Sequence, residues 1–436
     1  MTDPKNGSAS RRDFLKTGTT AAAAAAMFGA TRNAHAAGND TIKVGVIGCG
    51  GRGTGAAENI CEAAGTSYNI KIHALGDVFE DRAKACFDAL KGNDKVKDKF
   101  AVDKERVFHD FDNYKQVVDC CDLIILATPP GFRPGHLEYA VNAGKNVFTE
   151  KPVAVDGPGI RKVLEVAKKA REKNLAVVAG TQRRHQAGYL ESMKRVKAGD
   201  IGDIVGGRVF WNQGNIWARK RQADWKTDME YQIRNWYHFT WLCGGCIVEQ
   251  HVHNLDVACW ALGNPVSCVG MGGREVNTGP EFGESFDHFA VDYEFPNGVH
   301  VQSMARQING TASEVAEHFV GTTGRVHLSP GQYRFEGKDA SGKKLGRVRV
   351  QNELNPYVQE HIDLLESITS NKPINELEQV AYSCLTAIMG RMSTFTGKTV
   401  SWDQALNSKL ETFPGKLAWG DRPALVVPKP GQTDLI

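Results

Sequence analysis

The sequence contains no long hydrophobic run, little proline and few aromatic residues. Of its 436 residues, 16 are proline and 8% are aromatic. No apolar segment reaches the roughly 20 residues that a membrane-spanning helix needs. These absences exclude a protein with membrane-spanning helices and a collagen-like chain. The remaining composition, 41% hydrophobic and 24% charged, is typical of a globular protein, and the length suits two domains of about 150 residues each.

Residues 1–36 carry the pattern of an export signal. The adjacent Arg11 and Arg12 are followed by an alanine-rich stretch at residues 17–30 and by a small-x-small cleavage pattern at residues 34–36. This order resembles a twin-arginine signal peptide, and the alternative is a disordered tail with a chance arginine pair. We therefore expect the twin-arginine translocation machinery to export the folded protein to the periplasm or beyond the cell.

Beyond residue 36, the sequence also has no excess of positive or negative residues. The whole chain has a formal net charge of +3, but residues 1–36 hold five basic and two acidic residues. The remainder has 48 residues of each sign. This balance predicts neither a nucleic-acid partner nor binding to an anionic membrane.

The ten cysteines show no regular spacing, which favours buried free thiols over a disulfide framework. Cys243 and Cys246 have the spacing of a redox or metal site, and that role stays open as an alternative. A zinc site would need a second pair at similar spacing, and the sequence has none. We therefore predict no metal.

Strand and helix patterns alternate in residues 41–155, and we predict that these residues form the first of two domains. Apolar strands separated by helices indicate a doubly wound parallel sheet covered on both faces. The predicted strands lie at residues 42–48, 70–77, 107–108, 123–128 and 146–149.

Residues 156–400 have a different rhythm and form a second predicted domain. Segments 289–295 and 299–304 alternate at period two, and a Pro-Asn-Gly turn joins them into a hairpin. We expect an α+β domain with a large, mostly antiparallel open sheet and helices on one side. Residues 270–284 are predicted as a loop, and residues 401–436 as a tail on the surface.

Gly48, Gly50 and Gly53 fit the pattern G-x-G-x-x-G between the first strand and a helix, with Gly51 and Arg52 inside it. The first glycine permits a tight turn, the second lets the backbone approach a pyrophosphate, and the third allows close packing of helix and strand. The anion then lies at the helix N-terminus. The alternative is a glycine-rich turn in an unrelated α/β fold.

Asp77 ends the second strand, 24 residues after Gly53. A carboxylate there suits the ribose hydroxyls of NAD and repels the 2′-phosphate of NADP. Arg52 and Arg82 could still serve a phosphate, which keeps NADP open as the alternative.

Glu150-Lys151-Pro152 closes the fifth strand, where a lysine points toward the ligand crevice of such a sheet. Lys151 can exchange the proton of a substrate hydroxyl while hydride leaves the same carbon. The alternative is a surface lysine at a strand end.

Glu249 and His253 follow a Gly-Gly segment, and a helix is predicted to begin near Ile247. The two side chains would then lie four residues apart on one helical face, where histidine serves as acid or base and Glu249 orients it. His251 points elsewhere, which argues against a metal site. A polar helix start with a core histidine is the alternative.

These motifs, in this order and together with Ala127-Thr128-Pro129-Pro130, resemble the Gfo/Idh/MocA oxidoreductases over about residues 41–400. The export signal is similar to that of the glucose–fructose oxidoreductase branch. The resemblance implies a Rossmann domain, an α/β domain whose open sheet forms an oligomer interface, a catalytic Lys151 before a cis-Pro152, and His253 as its acid/base partner. Many members have aspartate where this chain has Glu249. A catalytic role is therefore expected more of His253 than of Glu249.

The resemblance also implies binding residues. The coenzyme contacts are expected from Gly48, Gly50, Gly51, Arg52, Gly53, Asp77, Arg82, Thr128, Pro129, Glu150 and Lys151. Substrate contacts are expected from Arg183, Arg184 and Tyr237. Five tryptophans at residues 211–241 could stack on sugar rings or serve as core aromatics.

The predicted function is an NAD(P)-dependent oxidoreductase, with NAD preferred, acting on a secondary alcohol of a sugar, sugar derivative or cyclitol. Folding before export predicts a tightly bound dinucleotide, because the periplasm supplies little free NAD. One alternative is a glycoside hydrolase that works by transient oxidation, elimination, hydration and re-reduction. Another is a non-catalytic sugar or nucleotide sensor. A homo-oligomer is expected.

Overall fold

The computed structural model describes residues 41–339 and 341–435. The export signal predicted for residues 1–36 lies outside the described residues. No helix in the described part of the chain is both long enough and apolar enough to span a membrane.

A six-stranded sheet forms the first part of the structure. All its neighbouring strands are parallel, in the order β3-β2-β1-β4-β5-β6. In chain order its elements are β1 (Ile42–Ile47), α1 (Gly51–Ala64), β2 (Ile70–Gly76), α2 (Glu80–Lys91), β3 (Val107–Phe108), α3 (Asn113–Cys120), β4 (Leu123–Leu126), α4 (Arg133–Asn142), β5 (Asn146–Thr149), α5 (Gly157–Glu172) and β6 (Val177–Ala179).

The parallel sheet is buried on both faces, as its sequence predicts. The central β4 reads Leu-Ile-Ile-Leu, and all four residues are buried. Such a continuous apolar run is typical of a strand covered by helices on either side. The doubly wound parallel sheet is therefore confirmed.

The first sheet extends beyond the predicted domain boundary at residue 155. Val177 pairs with Val147, so β6 adds a sixth strand beside β5. Its three residues are buried and continue the parallel order. The change of sequence pattern at residue 156 therefore precedes the last strand of this sheet.

An eight-stranded sheet forms the second part, in the order β13-β12-β11-β7-β10-β9-β8-β14. Its neighbouring strands are antiparallel except for the parallel pair β7–β10. The elements are α6 (Ala187–Lys197), β7 (Ile204–Gln213), α7 (Asp228–Arg234), α8 (Thr240–Cys243), α9 (Cys246–Glu249), α10 (Val252–Leu262), β8 (Ser267–Gly273), β9 (His288–Phe295), β10 (Val299–Gln307), β11 (Glu314–Gly321), β12 (Gly324–Ser329), β13 (Gln332–Gly337), α11 (Pro356–Thr369), α12 (Leu377–Thr396), β14 (Val400–Ser401) and α13 (Trp402–Asn407).

One face of this sheet is covered and the other is open. The long α12 packs on the covered face and is buried along most of its length. Gly390 allows this approach, because a Cβ there would lie 2.0 Å from the hydroxyl oxygen of Tyr293. On the open face Met271 is 77% exposed. The mostly antiparallel open sheet is thus confirmed, and the hairpin β9–β10 forms as predicted.

Residues 270–284 were expected as a loop, and this is correct only from residue 274. Gly270 pairs with Val291 and Gly273 pairs with His288, so β8 continues through Gly273. A Cβ on Gly270 or Gly272 would lie within 2.5 Å of neighbouring atoms. The glycines therefore permit close packing of the strand against α12 and β9, a role that composition alone does not distinguish from loop formation.

Phe319→Ala should lower the free energy of unfolding by about 3–5 kcal/mol, because it leaves a cavity under the covered face of β11. Phe319 is fully buried, whereas the adjacent Val320 is 48% exposed on the opposite face. Val320→Ala should change stability by less than about 0.5 kcal/mol. Equilibrium urea denaturation measures both, and equal losses would contradict this assignment of the two faces.

Candidate active site

The glycine loop between β1 and α1 has the geometry that its sequence predicts. Gly48 has a φ of +95°, and a Cβ on it would lie 2.6 Å from the backbone of Ala127 and Thr128. A Cβ on Gly53 would lie 1.9 Å from the carbonyl oxygen of Gly48. Glycine at both positions therefore keeps α1 close to the end of β1.

Gly50 and Gly51 leave open space at the start of α1. A Cβ built on either residue meets no atom of the described chain within 4 Å. No acidic residue occupies the first turn of α1, and no side chain caps it. The first backbone N–H groups of this helix can therefore bind an anion such as a pyrophosphate.

Asp77 lies beside this loop, held by backbone donors. Its two carboxylate oxygens accept hydrogen bonds from the N–H groups of Cys49 (2.8 Å) and Phe79 (2.9 Å). Burial raises the pKa of the Asp77 carboxyl, and these two hydrogen bonds act against that shift. The side chain is fixed at the end of β2, and its remaining lone pairs can accept the hydroxyls of a ribose.

A cleft of about 330 Å³ lies over the ends of β1, β2 and β4. Of the predicted coenzyme residues, the cleft is lined by Gly48, Gly50, Gly51, Arg52, Asp77, Arg82, Thr128 and Pro129. Gly53 packs beneath the loop, while Glu150 and Lys151 do not line this cleft. The residues present fit a dinucleotide with its phosphates at α1 and its adenosine ribose at Asp77.

Glu150 lies between the cleft and Lys151, the next residue in the chain. Its carboxylate is buried and lies 3.4 Å from Nε of Arg52, which lines the cleft. This ion pair orients Arg52 near the phosphate end of α1. Glu150 directly precedes Lys151 in the chain. Lys151 is therefore adjacent to the residue that pairs with Arg52 at the cleft.

Lys151 contacts Glu249 in a buried site between the two sheets. Its Nζ donates to the carbonyl oxygen of Glu249 at 2.5 Å and lies 3.1 Å from Glu249 Oε1. Both side chains are about nine-tenths buried. Burial raises the pKa of the Glu249 carboxyl, and the charge of Lys151 acts in the opposite direction. The peptide bond between Lys151 and Pro152 is cis.

Glu249 and His253 do not share one helix, which corrects the prediction of a single helix from Ile247. The backbone turns at Gln250 and His251, between α9 and α10. The N–H of His253 donates to the carbonyl of Gln250 rather than to that of Glu249. The carbonyl of Glu249 is thereby left for the ammonium group of Lys151.

His253 is buried and stacks on Trp211, with ring centroids 5.7 Å apart. Burial, then the charges of Lys151 and Arg183, lower its pKa well below the usual 6.5. His253 is therefore neutral at pH 7, and burial beside two cations makes it a weaker proton acceptor than a free imidazole. His251 points away from it, since its Nε2 lies 2.7 Å from the hydroxyl of Ser303.

The three predicted substrate residues lie inside the fold, away from the cleft. Arg183 pairs with the fully buried Glu317, and Arg184 binds both carboxylate oxygens of Asp256 at 2.9 and 3.1 Å. The hydroxyl of Tyr237 accepts a hydrogen bond from the side chain of Gln307 at 2.7 Å. The role of both arginines in substrate binding stays a prediction, and the sequence shows these cations but not the distant carboxylates that pair with them.

Five residues of the second domain line the cleft, and the sequence interpretation singled out only the two tryptophans among them, as residues that could stack on sugar rings. They come from the chain between β7 and α8, and they are Trp217, Arg219, Ile233, Arg234 and Trp236. The cluster of tryptophans in the sequence indicated an aromatic surface. That this surface lines the cleft depends on how the second domain packs against the first. Trp211, by contrast, contacts His253.

All ten cysteines are free thiols, and eight are buried. Cys243 and Cys246 form no disulfide, and Cys243 Sγ instead accepts from the N–H of Gly245 at 3.1 Å. Burial raises the pKa of Cys246 to about 12. Within residues 41–339 and 341–435, no group of three His, Cys, Asp or Glu side chains is placed to hold a metal ion.

The fold and the cleft define a dinucleotide-binding protein with a Rossmann domain. The chain belongs to the Gfo/Idh/MocA oxidoreductase family. Residues 42–180 match its NAD-binding Rossmann fold, and residues 189–327 match its C-terminal domain.

Several known proteins are similar to this chain. An inositol 2-dehydrogenase of Klebsiella pneumoniae is 33% identical over 52% of this chain and 57% of its own length. A 2,7-anhydro-N-acetylneuraminate hydratase of Escherichia coli is 29% identical over 49% of this chain and 52% of its own length. The chain thus spans just over half the length of these curated relatives.

Solved structures share the fold. The scyllo-inositol dehydrogenase of Lactobacillus casei with bound NAD(H) and scyllo-inositol has a TM-score of 0.62 at 18% identity. The match covers 84% of this chain and 100% of that one.

Gly53→Ala should weaken binding of NAD⁺ at least about tenfold, a loss of about 1.4 kcal/mol, because the added Cβ displaces α1 from the glycine loop. Isothermal titration calorimetry measures the dissociation constant. Gly92→Ala is the control, since Gly92 ends α2 with ordinary helical angles and its Cβ would have 3.4 Å of clearance. Unchanged binding by the Gly53 variant would contradict the role of this loop.

Proposed function

We propose that this protein is an NAD-dependent oxidoreductase acting on a secondary alcohol of a sugar, sugar derivative or cyclitol. The observation that carries the proposal is the buried contact of Lys151 with Glu249. The residue before Lys151, Glu150, forms an ion pair with Arg52, which lines the glycine-loop cleft. Family membership supports the oxidoreductase class. The dehydrogenases of inositol among the relatives support the choice of a polyhydroxylated substrate.

The coenzyme supplies a hydride acceptor or donor when it is bound. The residues of the chain supply the proton chemistry. The ammonium group of Lys151 has three donors, of which Glu249 takes two. The third is available to a substrate oxygen. Lys151 can therefore donate a proton to a carbonyl oxygen in the reducing direction, and the neutral amine can accept the hydroxyl proton in the oxidising direction.

His253 and Glu249 complete the proposed site. The imidazole of His253 is neutral at pH 7 because burial lowers its pKa, so a ring nitrogen can accept a hydrogen bond from the substrate hydroxyl. The Oε2 atom of Glu249 is buried and has no hydrogen-bond partner among the described residues. A substrate hydroxyl would satisfy it, which removes the cost of an unpaired buried acceptor.

NAD rather than NADP is the proposed coenzyme, because the fixed carboxylate of Asp77 suits ribose hydroxyls. We further propose that the protein is exported by the twin-arginine route, on the sequence of residues 1–36, and that it is a homo-oligomer. The exposed apolar side chains of the open sheet, Met271 and Val269 among them, support an association of copies.

A second candidate function is a hydrolase or lyase that uses the coenzyme only transiently. The similarity to a hydratase supports it, since that name denotes addition of water. The same proton-transfer groups would serve oxidation, elimination, hydration and re-reduction. The non-catalytic sensor has less support, because the buried Lys151, Glu249 and His253 form a complete proton-transfer set.

Lys151→Met should lower kcat at least about 100-fold, because it removes the group that exchanges the hydroxyl proton. Bound dinucleotide, measured after denaturation of the purified protein, should remain. Turnover is assayed against a panel of cyclitols and free sugars by NADH absorbance. Lys168→Met, at an exposed position of α5, is the control and should keep full turnover. Retained turnover in the Lys151 variant would refute the mechanism.

Incubation with free sugars and with aryl glycosides, without added NAD, separates the two candidate functions. The dehydrogenase should form carbonyl product from a free sugar and release no aglycone. Release of aglycone with no net change in NADH would instead establish the second candidate. Absorbance of the aglycone and of NADH measures both outcomes in one experiment.

A further inference from the structure

The coenzyme cleft has a second wall built from the second domain. We call residues 214–239, the chain between β7 and α8, the second wall. Trp217, Arg219 and Trp236 line the cleft together with the residues that follow β1, β2 and β4. Trp217 is 42% exposed, and the guanidinium of Arg219 lies 5.0 Å above its ring. The wall therefore offers an aromatic surface and a cation to a ligand in the cleft.

Arg234 fastens this wall to the first domain. Its two terminal nitrogens lie 3.0 and 3.1 Å from the two carboxylate oxygens of Asp81, in the first turn of α2. Its guanidinium also lies 3.8 Å above the ring of Phe79. A bidentate ion pair that is also stacked on an aromatic ring is a specific and geometrically strict contact.

The C-terminal tail reinforces the same junction. The ring of Trp419 lies 5.7 Å from that of Phe79 and 4.6 Å from that of Phe111. The N–H of Met229, in the second wall, donates to the carbonyl of Gly420 at 3.0 Å. The first domain, the second wall and the tail thus share one apolar cluster beside the cleft.

The charges of the cleft indicate which ligand the wall faces. Asp81 and Glu230 neutralise Arg234. Arg219 lines the cleft with its Nε buried and without a hydrogen-bond partner in the part of the chain that the structure describes. An anionic ligand would satisfy it. The contacts of the wall at Phe79 and Asp81 follow directly after Asp77, the residue suited to the adenosine ribose.

We propose that the second wall binds the adenosine diphosphate half of the dinucleotide, and that the Arg234–Asp81 contact latches it closed. The inference rests on the proposed function, because the ligand is the coenzyme proposed there. Release of the dinucleotide then requires the wall to separate from α2. The latch makes that release slow, so the coenzyme stays with the protein from one turnover to the next.

The latch is tested by the rate at which bound NADH leaves. Protein loaded with NADH is mixed with excess NAD⁺ in a stopped-flow instrument, and the loss of NADH fluorescence gives the dissociation rate. Arg234→Met and Asp81→Asn should each raise that rate at least about tenfold. The double variant should be no faster than the faster single variant, because both changes break one contact. Asp81 is 61% exposed, so its change to Asn leaves the fold intact.

Two matched variants control for loss of charge alone. Glu80→Gln changes the neighbouring acid of the same helical turn, which pairs with Lys84 at 2.6 Å. Arg221→Met changes an arginine of the same segment that does not line the cleft and that pairs with Asp228 at 2.7 Å. Both should release NADH within about twofold of the unsubstituted rate.

Rates within about twofold of the unsubstituted protein in both Arg234→Met and Asp81→Asn would overturn the latch and leave the proposed function standing, since NADH is bound. Failure of the unsubstituted protein to bind NADH would overturn both.

Discussion

The buried contact between Lys151 and Glu249 joins the two halves of the structure and determines the candidate site. Lys151 follows the end of β5 and Glu249 ends α9, so each domain supplies one partner. Neither side chain has much access to water, and removal of one would leave the other as an unpaired buried charge. The proposed proton-transfer groups therefore depend on the packing of the second domain against the first.

The interruption between α9 and α10 makes this contact available. In an unbroken helix the carbonyl of Glu249 would accept the N–H of His253. The turn at Gln250 and His251 gives that N–H another acceptor. The freed carbonyl then accepts the ammonium of Lys151, while His253 follows in α10 and stacks on Trp211. A local departure from helical geometry thus brings three titratable groups to one place.

Local patterns of the sequence were reliable where a single segment decides the structure. The buried strands of the parallel sheet, the hairpin β9–β10 and the glycine loop all follow from residues close together in the chain. The position of Asp77 at the end of β2 is of this kind too, since strand and carboxylate are adjacent. The sequence did not indicate the ion pair of Arg184 with Asp256, which lies 72 residues away. A long-range ion pair leaves no trace in the local pattern.

The sequence by itself determined a Rossmann domain with its glycine loop and the family, and it supplied the residues of the proposed proton-transfer set. These features depend on residues that are close together in the chain. Only the tertiary structure decided that Glu249 and His253 belong to separate helices, that Arg183 and Arg184 are neutralised inside the fold, and that the second domain adds a wall to the coenzyme cleft. Each of these depends on which distant groups reach one another, and packing of the complete chain sets those distances.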